Sequence, residues 1–231
     1  MNILTFFTMY YIVYETILSY GTDDKLLFKT ISSICFLLCG IFSFKKSPKT
    51  KKYSLLILIG LFLGLVGDVV LSSPNIKNYF LIGASSFAIG HIFYILAFLS
   101  ITSFYIRDVI ISLIGSYGVY FIFSNILNAG DNIIIFCVYS FIIFFMTLQS
   151  LHLFKFRKTN KLFCFLAILG SILFTLSDIV LSFEISLPYP QAFLSMINLS
   201  LYYTAQGLIA LSLSCTNSLS SSNKSNNTSN K

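Results

Sequence analysis

Residues 60–72 read GLFLGLVGDVVLS, and residues 170–182 read GSILFTLSDIVLS. Aligned without a gap, Gly60, Leu63, Asp68, Val70, Leu71 and Ser72 meet Gly170, Leu173, Asp178, Val180, Leu181 and Ser182. Each stretch places one carboxylate in a run that is otherwise apolar or small, and the two carboxylates stand in register, 110 positions apart. An aspartate at the centre of a membrane helix costs from about 2.5 kcal/mol upwards, so it faces the protein interior and marks a candidate functional site. Gly60, Gly64 and Asp68 are each four apart with Gly67 adjacent, a stripe of small residues that admits a neighbouring helix.

The surrounding composition decides the class. Of 231 residues, 56% are hydrophobic and only 10% charged, where a soluble domain carries about 25% charged residues. The mean hydropathy is +0.85. At about 20 apolar residues per span, the pattern predicts an all-α, polytopic transmembrane bundle. Eight spans are predicted, near 3–20, 26–44, 53–72, 79–103, 109–127, 132–152, 162–183 and 191–214. They form one transmembrane domain over 1–214, followed by a polar, disordered cytoplasmic tail over 215–231. The first segment lacks a basic leader and reads as a true span rather than a cleaved signal.

The net charge of +7 does not point to nucleic acid, because the cations sit in short loops between apolar segments. They read as topology signals. Twelve of the fifteen Lys and Arg fall on the side of the 45–52 and 153–161 loops, which places both termini in the cytoplasm. The third and seventh spans then run in the same direction. The halves 1–105 and 106–214 read as parallel repeats about an axis along the membrane normal, with a shared site at their interface. Both acids are expected at one depth, roughly 6 Å inside the non-cytoplasmic ends of their spans.

Other polar residues fall on helical stripes. Ser171, Thr175, Asp178 and Ser182 share one face; Asn198, Tyr202 and Gln206 share another; His91 and Tyr94 lie i, i+3 beside Gly83, Gly90 and Ala97. Together these faces are expected to enclose one polar cavity. Two close carboxylates do not both ionise easily, which yields a general acid and a general base from one residue type. The alternative for the acids is a structural role in helix packing. His91 is either a catalytic partner or a hydrogen-bonded core residue. Glu15 either lines the cavity or snorkels towards nearby tyrosines. Lys29 either contacts a phosphate or snorkels. With two separated histidines and no CxxC pair among five cysteines, no metal site is expected.

The run GLVGDVVLS, then GHIFYILAF, SDIVLS and LYYTAQGLIAL, resembles the YhhN-type lysoplasmalogenase family over about residues 20–214. Lys29, Tyr139, Met146 and Gln149 are weaker matches, and Thr30 stands where the family usually has proline after the lysine. The resemblance implies an eight-span hydrolase that cleaves the vinyl-ether bond of lysoplasmalogens, alkenyl-glycerophosphocholine or -ethanolamine. The products are a fatty aldehyde and a glycerophospho-base, and no cofactor is implied. Such chemistry needs a proton donor, an anion beside the developing cation and a base for water, roles that Asp68 and Asp178 are suited to share. His91, Tyr94, Asn198, Tyr202 and Gln206 are expected to orient water or the glycerol hydroxyl. The substrate is then a lysophospholipid in a bilayer, bacterial inner membrane or endoplasmic reticulum, with no nucleic-acid partner. From a different class, a proton-coupled carrier would also place acids on a repeat axis.

Overall fold

The computed structural model describes residues 25–46, 51–125, 133–156, 158, 160–187 and 191–218. The predicted first span, with Glu15, and residues 219–231 lie outside the described residues. Within them the fold is wholly helical: α1 (Lys25–Lys46), α2 (Lys51–Leu71), α3 (Tyr79–Leu99), α4 (Ile106–Asn125), α5 (Ile133–Leu151), α6 (Lys161–Ser186) and α7 (Gln191–Ser212). They correspond to predicted spans two to eight. Helices α1 to α6 are long and apolar enough to cross a membrane. In α7, Ser195, Asn198, Ser200, Thr204 and Gln206 interrupt the apolar run and dilute that signal. The chain is therefore a polytopic, helical, integral membrane protein.

Local chemistry sets the helix ends. Asn160 caps α6 by accepting the Phe163 N–H at 3.1 Å. The same helix stops at Ser186 because Leu187 precedes Pro188 and is driven into an extended conformation, φ −100°, ψ 139°. α2 ends sooner relative to its acid, at the Ser72-Ser73-Pro74 turn. Asp68 thus lies three residues from its helix end and Asp178 eight, so the two acids differ in distance from their helix termini. Asn78, in the left-handed region at φ 58°, turns the chain into α3. Beyond α7, Leu213–Ser218 continue as a 3-10 turn with Thr216 buried, so ordered structure runs past the expected start of the tail at 215.

The helices close into a ring. α1 packs on α2, α2 on α3, α3 on α5, α5 on α6, α6 on α7, and α7 returns to α1. α4 lies outside the ring and is held mainly through α5. Its side chains, including Ile106, Ile114 and Tyr117, are largely exposed, as suits contact with lipid.

The α2–α3 contact depends on glycine. A Cβ at Gly60 would lie 2.3 Å from the Tyr94 ring and 3.0 Å from the Gly90 carbonyl oxygen. Tyr94 is fully enclosed and has nowhere to move. At the matching position in α6, a Cβ on Gly170 would meet the Ala205 carbonyl oxygen at 3.1 Å and Ile209 of α7. The small-residue stripe read from the sequence does bring α2 against its neighbours. Gly60→Ala should therefore destabilise the bundle by about 1–3 kcal/mol through overpacking. Gly118→Ala, where nothing lies within 4 Å of the new Cβ, should leave stability unchanged or slightly raised. Thermal unfolding of both variants in detergent checks the contrast.

Candidate active site

Six helices line a narrow cavity inside the ring, among their side chains Lys29 of α1, Asp68 of α2, Phe87 of α3, Tyr139 of α5, Asp178 of α6 and Tyr202 of α7. Asn198 also lines it. Its volume of about 50 Å³ leaves room for ordered water. The two acids recognised in the sequence thus meet in one place, although no hydrogen bond joins them among the described residues.

Each carboxylate has its own donors. Asp68, 3% exposed, accepts at Oδ2 from Ser33 Oγ of α1 at 2.6 Å and from Tyr202 OH of α7 at 2.7 Å. Ser33 has one proton, for which the Lys29 carbonyl oxygen competes at 2.8 Å. The carboxylate is the stronger acceptor. The Lys29 carbonyl keeps a donor in Tyr203 OH at 3.1 Å. Asp178 accepts at Oδ2 from Tyr139 OH of α5 at 2.8 Å, with His91 Nε2 of α3 at 3.7 Å.

Behind these first contacts stand two supporting chains. Tyr94 OH donates to Gln206 Oε1 at 2.7 Å, Gln206 Nε2 donates to Tyr202 OH at 3.3 Å, and Tyr202 donates to Asp68. The donors all point towards the carboxylate. Gly64 leaves the room for this arrangement, since a Cβ there would lie 2.7 Å from Gln206 Nε2. On the other side His91 Nε2 lies 3.0 Å from Tyr139 OH. Because Tyr139 gives its proton to Asp178, its oxygen accepts from His91, which assigns the Nε2–H form. His91 Nδ1 is then a buried atom without a partner. An edge-on contact with Phe174, with ring centroids 4.5 Å apart, fixes the imidazole.

The geometry therefore sorts the residues singled out in the sequence. Asp68, Asp178, Lys29, Asn198 and Tyr202 face the cavity. His91, Tyr94 and Gln206 do not line it: Tyr94 and Gln206 reach Tyr202 through hydrogen bonds, and His91 stands beside Tyr139, 3.7 Å from Asp178 Oδ2. Asn198 Nδ2 donates to Glu184 Oε2 at 3.2 Å, which ties α7 to α6 beside the cavity. Ser33 and Tyr139 are the main additions. Ser33 gave no sequence signal beyond being a serine in a span. Tyr139 follows Lys29 by 110 positions, the same offset as the two acids.

A separate polar cluster lies at the opposite end of α4 and α5. Asp108, 2% exposed, accepts from Gln149 Nε2 at 3.0 Å and lies 2.6 Å from His152 Nε2. It pins the first turn of α4 under the end of α5. Among the described residues no group of three His, Cys, Asp or Glu side chains is placed to hold a metal ion, and all five cysteines are free thiols.

No curated protein and no solved structure matches the chain. A family model does, the YhhN family, over residues 25–213, which takes in every helix of the ring and every residue of the cavity. The chain belongs to the YhhN family.

Proposed function

We propose that the protein hydrolyses the vinyl-ether bond of a lysoplasmalogen-type lipid, with Asp68 and Asp178 as its general acid and base. The observation that carries this reading is the pair of buried aspartates. They come from separate helices, are held by different donors, and line one water-sized cavity in a member of the YhhN family.

In the proposed reaction one carboxyl group gives its proton to the outer carbon of the C=C–O unit, forming a C–H bond and an oxocarbenium ion. The other carboxylate stabilises that cation and takes a proton as water adds to the inner carbon. The resulting hemiacetal breaks its C–O bond, and a proton passes to the departing glycerol oxygen. One water is consumed, and a fatty aldehyde and a glycerophospho-base leave. Tyr139 and Tyr202 hold the carboxylates, and Lys29 is placed to attract the phosphate.

The ring order supports a two-fold repeat. α1, α2 and α3 follow one another as α5, α6 and α7 do, and each half contacts the other at equivalent places. The cradles correspond as well. Asp68 draws donors from α1 and α7, and Asp178 has its partners on α5 and α3. With the first span, read from sequence, the count becomes eight, and the lysine distribution puts both termini in the cytoplasm.

The purified full chain in detergent should release aldehyde from a lysoplasmalogen, with a chelator present. Asp68→Asn and Asp178→Asn should each abolish release while keeping their thermal unfolding midpoints. A wild-type protein that releases no aldehyde from any vinyl-ether lipid would overturn the hydrolase and leave the proton-coupled carrier as the reading to test. Because one acid must be protonated and the other ionised, kcat/KM of the wild type should be bell-shaped in pH. Tyr139→Phe removes the link between His91 and Asp178 without changing shape, and should lower kcat by about 10²-fold or more with little change in KM.

A further inference from the structure

A second cavity, of about 270 Å³, lies between α4, α5 and α6. Tyr139 and Asp178 line it as well as the first, so both cavities border on the same tyrosine and aspartate. Its lining is almost wholly hydrocarbon. The hydroxyls along it are already engaged by the protein: Ser140 with the Cys137 carbonyl at 2.9 Å, Ser182 with the Asp178 carbonyl at 2.8 Å, and Thr175 with Thr147 at 2.6 Å. Asp178 is the one ionisable side chain on its wall apart from the tyrosine that holds it.

The α4 wall is a helical stripe, Gly115, Gly118, Val119 and Ile122. It extends about 10 Å at 1.5 Å per residue. That fits within one leaflet, half of a hydrocarbon core about 30 Å thick. Gly115 is accounted for by packing, because a Cβ there would lie 2.7 Å from the Phe144 ring. Gly118 is not, since nothing lies within 4 Å of its Cβ direction. Glycine inside a helix costs stability relative to alanine. At this position its only structural effect is to leave the groove wide.

We infer that this groove holds the single hydrocarbon chain of the lipid substrate, with the reacting carbons at Asp178, and that Gly118 sets the length of chain accepted. The inference rests on the hydrolase reading for its reaction, and on the shape, lining and continuity of the groove for its occupant. A volume of about 270 Å³ with an almost unbroken hydrocarbon lining suits one chain, and the headgroup would then lie towards Lys29, which lines the adjoining cavity.

The test compares hexadecenyl and octenyl lysoplasmalogens with wild type, Gly118→Ala, Gly118→Phe and Ile114→Phe, the last adding bulk to the exposed face of the same helix. Gly118→Phe should lose roughly tenfold or more on the long chain and less than about twofold on the short one, in keeping with the 10–200-fold effect of a misplaced methylene in an apolar pocket. Gly118→Ala should fall between, and Ile114→Phe should keep the wild-type ratio. Equal loss on both chains, or no loss, in a Gly118→Phe protein of unchanged thermal stability overturns the inference. Binding is read independently with a lysophospholipid bearing a terminal diazirine. Labelling of α4 and α5 residues in the groove, reduced in Gly118→Phe and competed by lysolipid, supports it even if wild type cleaves neither substrate, in which case the hydrolase reading alone fails. Labelling unaffected by Gly118→Phe, or competed equally by diacyl phospholipid, marks ordinary boundary lipid and overturns it.

Discussion

Two carboxylates inside an apolar helical bundle must be given hydrogen-bond donors, and those donors must come from other helices. A carboxylate away from water is tolerated only when its lone pairs are satisfied. A helix cannot supply O–H donors to its own aspartate from most positions, because its neighbours on the same face lie a full turn away. Asp68 therefore recruits Ser33 from α1 and Tyr202 from α7, groups 35 and 134 residues distant in the chain. Both bonds close the ring around α2. Gly64 completes this logic, since it lets α7 come near enough for the Tyr202 hydroxyl to reach the acid, while Gly60 and Gly67 admit α3.

The two acids are alike in sequence and unlike in setting. One is held by a hydroxyl pair backed by an amide, the other by a phenol backed by an imidazole. Two carboxyl groups in identical surroundings offer no reason for a proton to rest on one rather than the other, and different donors supply such a reason.

Much of this was legible in the sequence, and the reasons are specific. A charged residue in a run of Leu, Val and Gly stands out against its surroundings, so Asp68 and Asp178 were readable, and so were the helices that carry them. Even α7, whose polar residues weaken its apolar signal, was legible because Asn198, Tyr202 and Gln206 recur at helical spacing. Tyrosines are harder. The chain has 14, and one at a span end reads as an interfacial anchor unless its partner is known. Tyr139 was legible only through the resemblance, as a weaker match, although its offset from Lys29 repeats that of the acids. For His91 the sequence leaves open a catalytic partner or a hydrogen-bonded core residue, and the packing of α3 against α5 brings it to the Tyr139 hydroxyl. Asp108 gave no signal of its own, because it falls just before the span predicted at 109–127. In the structure the aspartate turns inward to Gln149 and His152 while the Arg107 side chain stays 71% exposed.

The inward turn of Asp108 has a mechanical side. α4 stands outside the ring, and its first turn is fastened to α5 by the contacts of one buried carboxylate. Further along, Ser116 donates to the Cys137 carbonyl at 2.7 Å, and the Phe123 ring stacks on Phe136 with centroids 4.6 Å apart. The helix is thus riveted to α5 at several levels, with open space at Gly118 between them. Lateral pressure of the surrounding lipid on the exposed side of α4 is passed through these rivets into α5 and so into the ring. The bilayer itself, through its thickness and tension, becomes a load on the wall of the molecule.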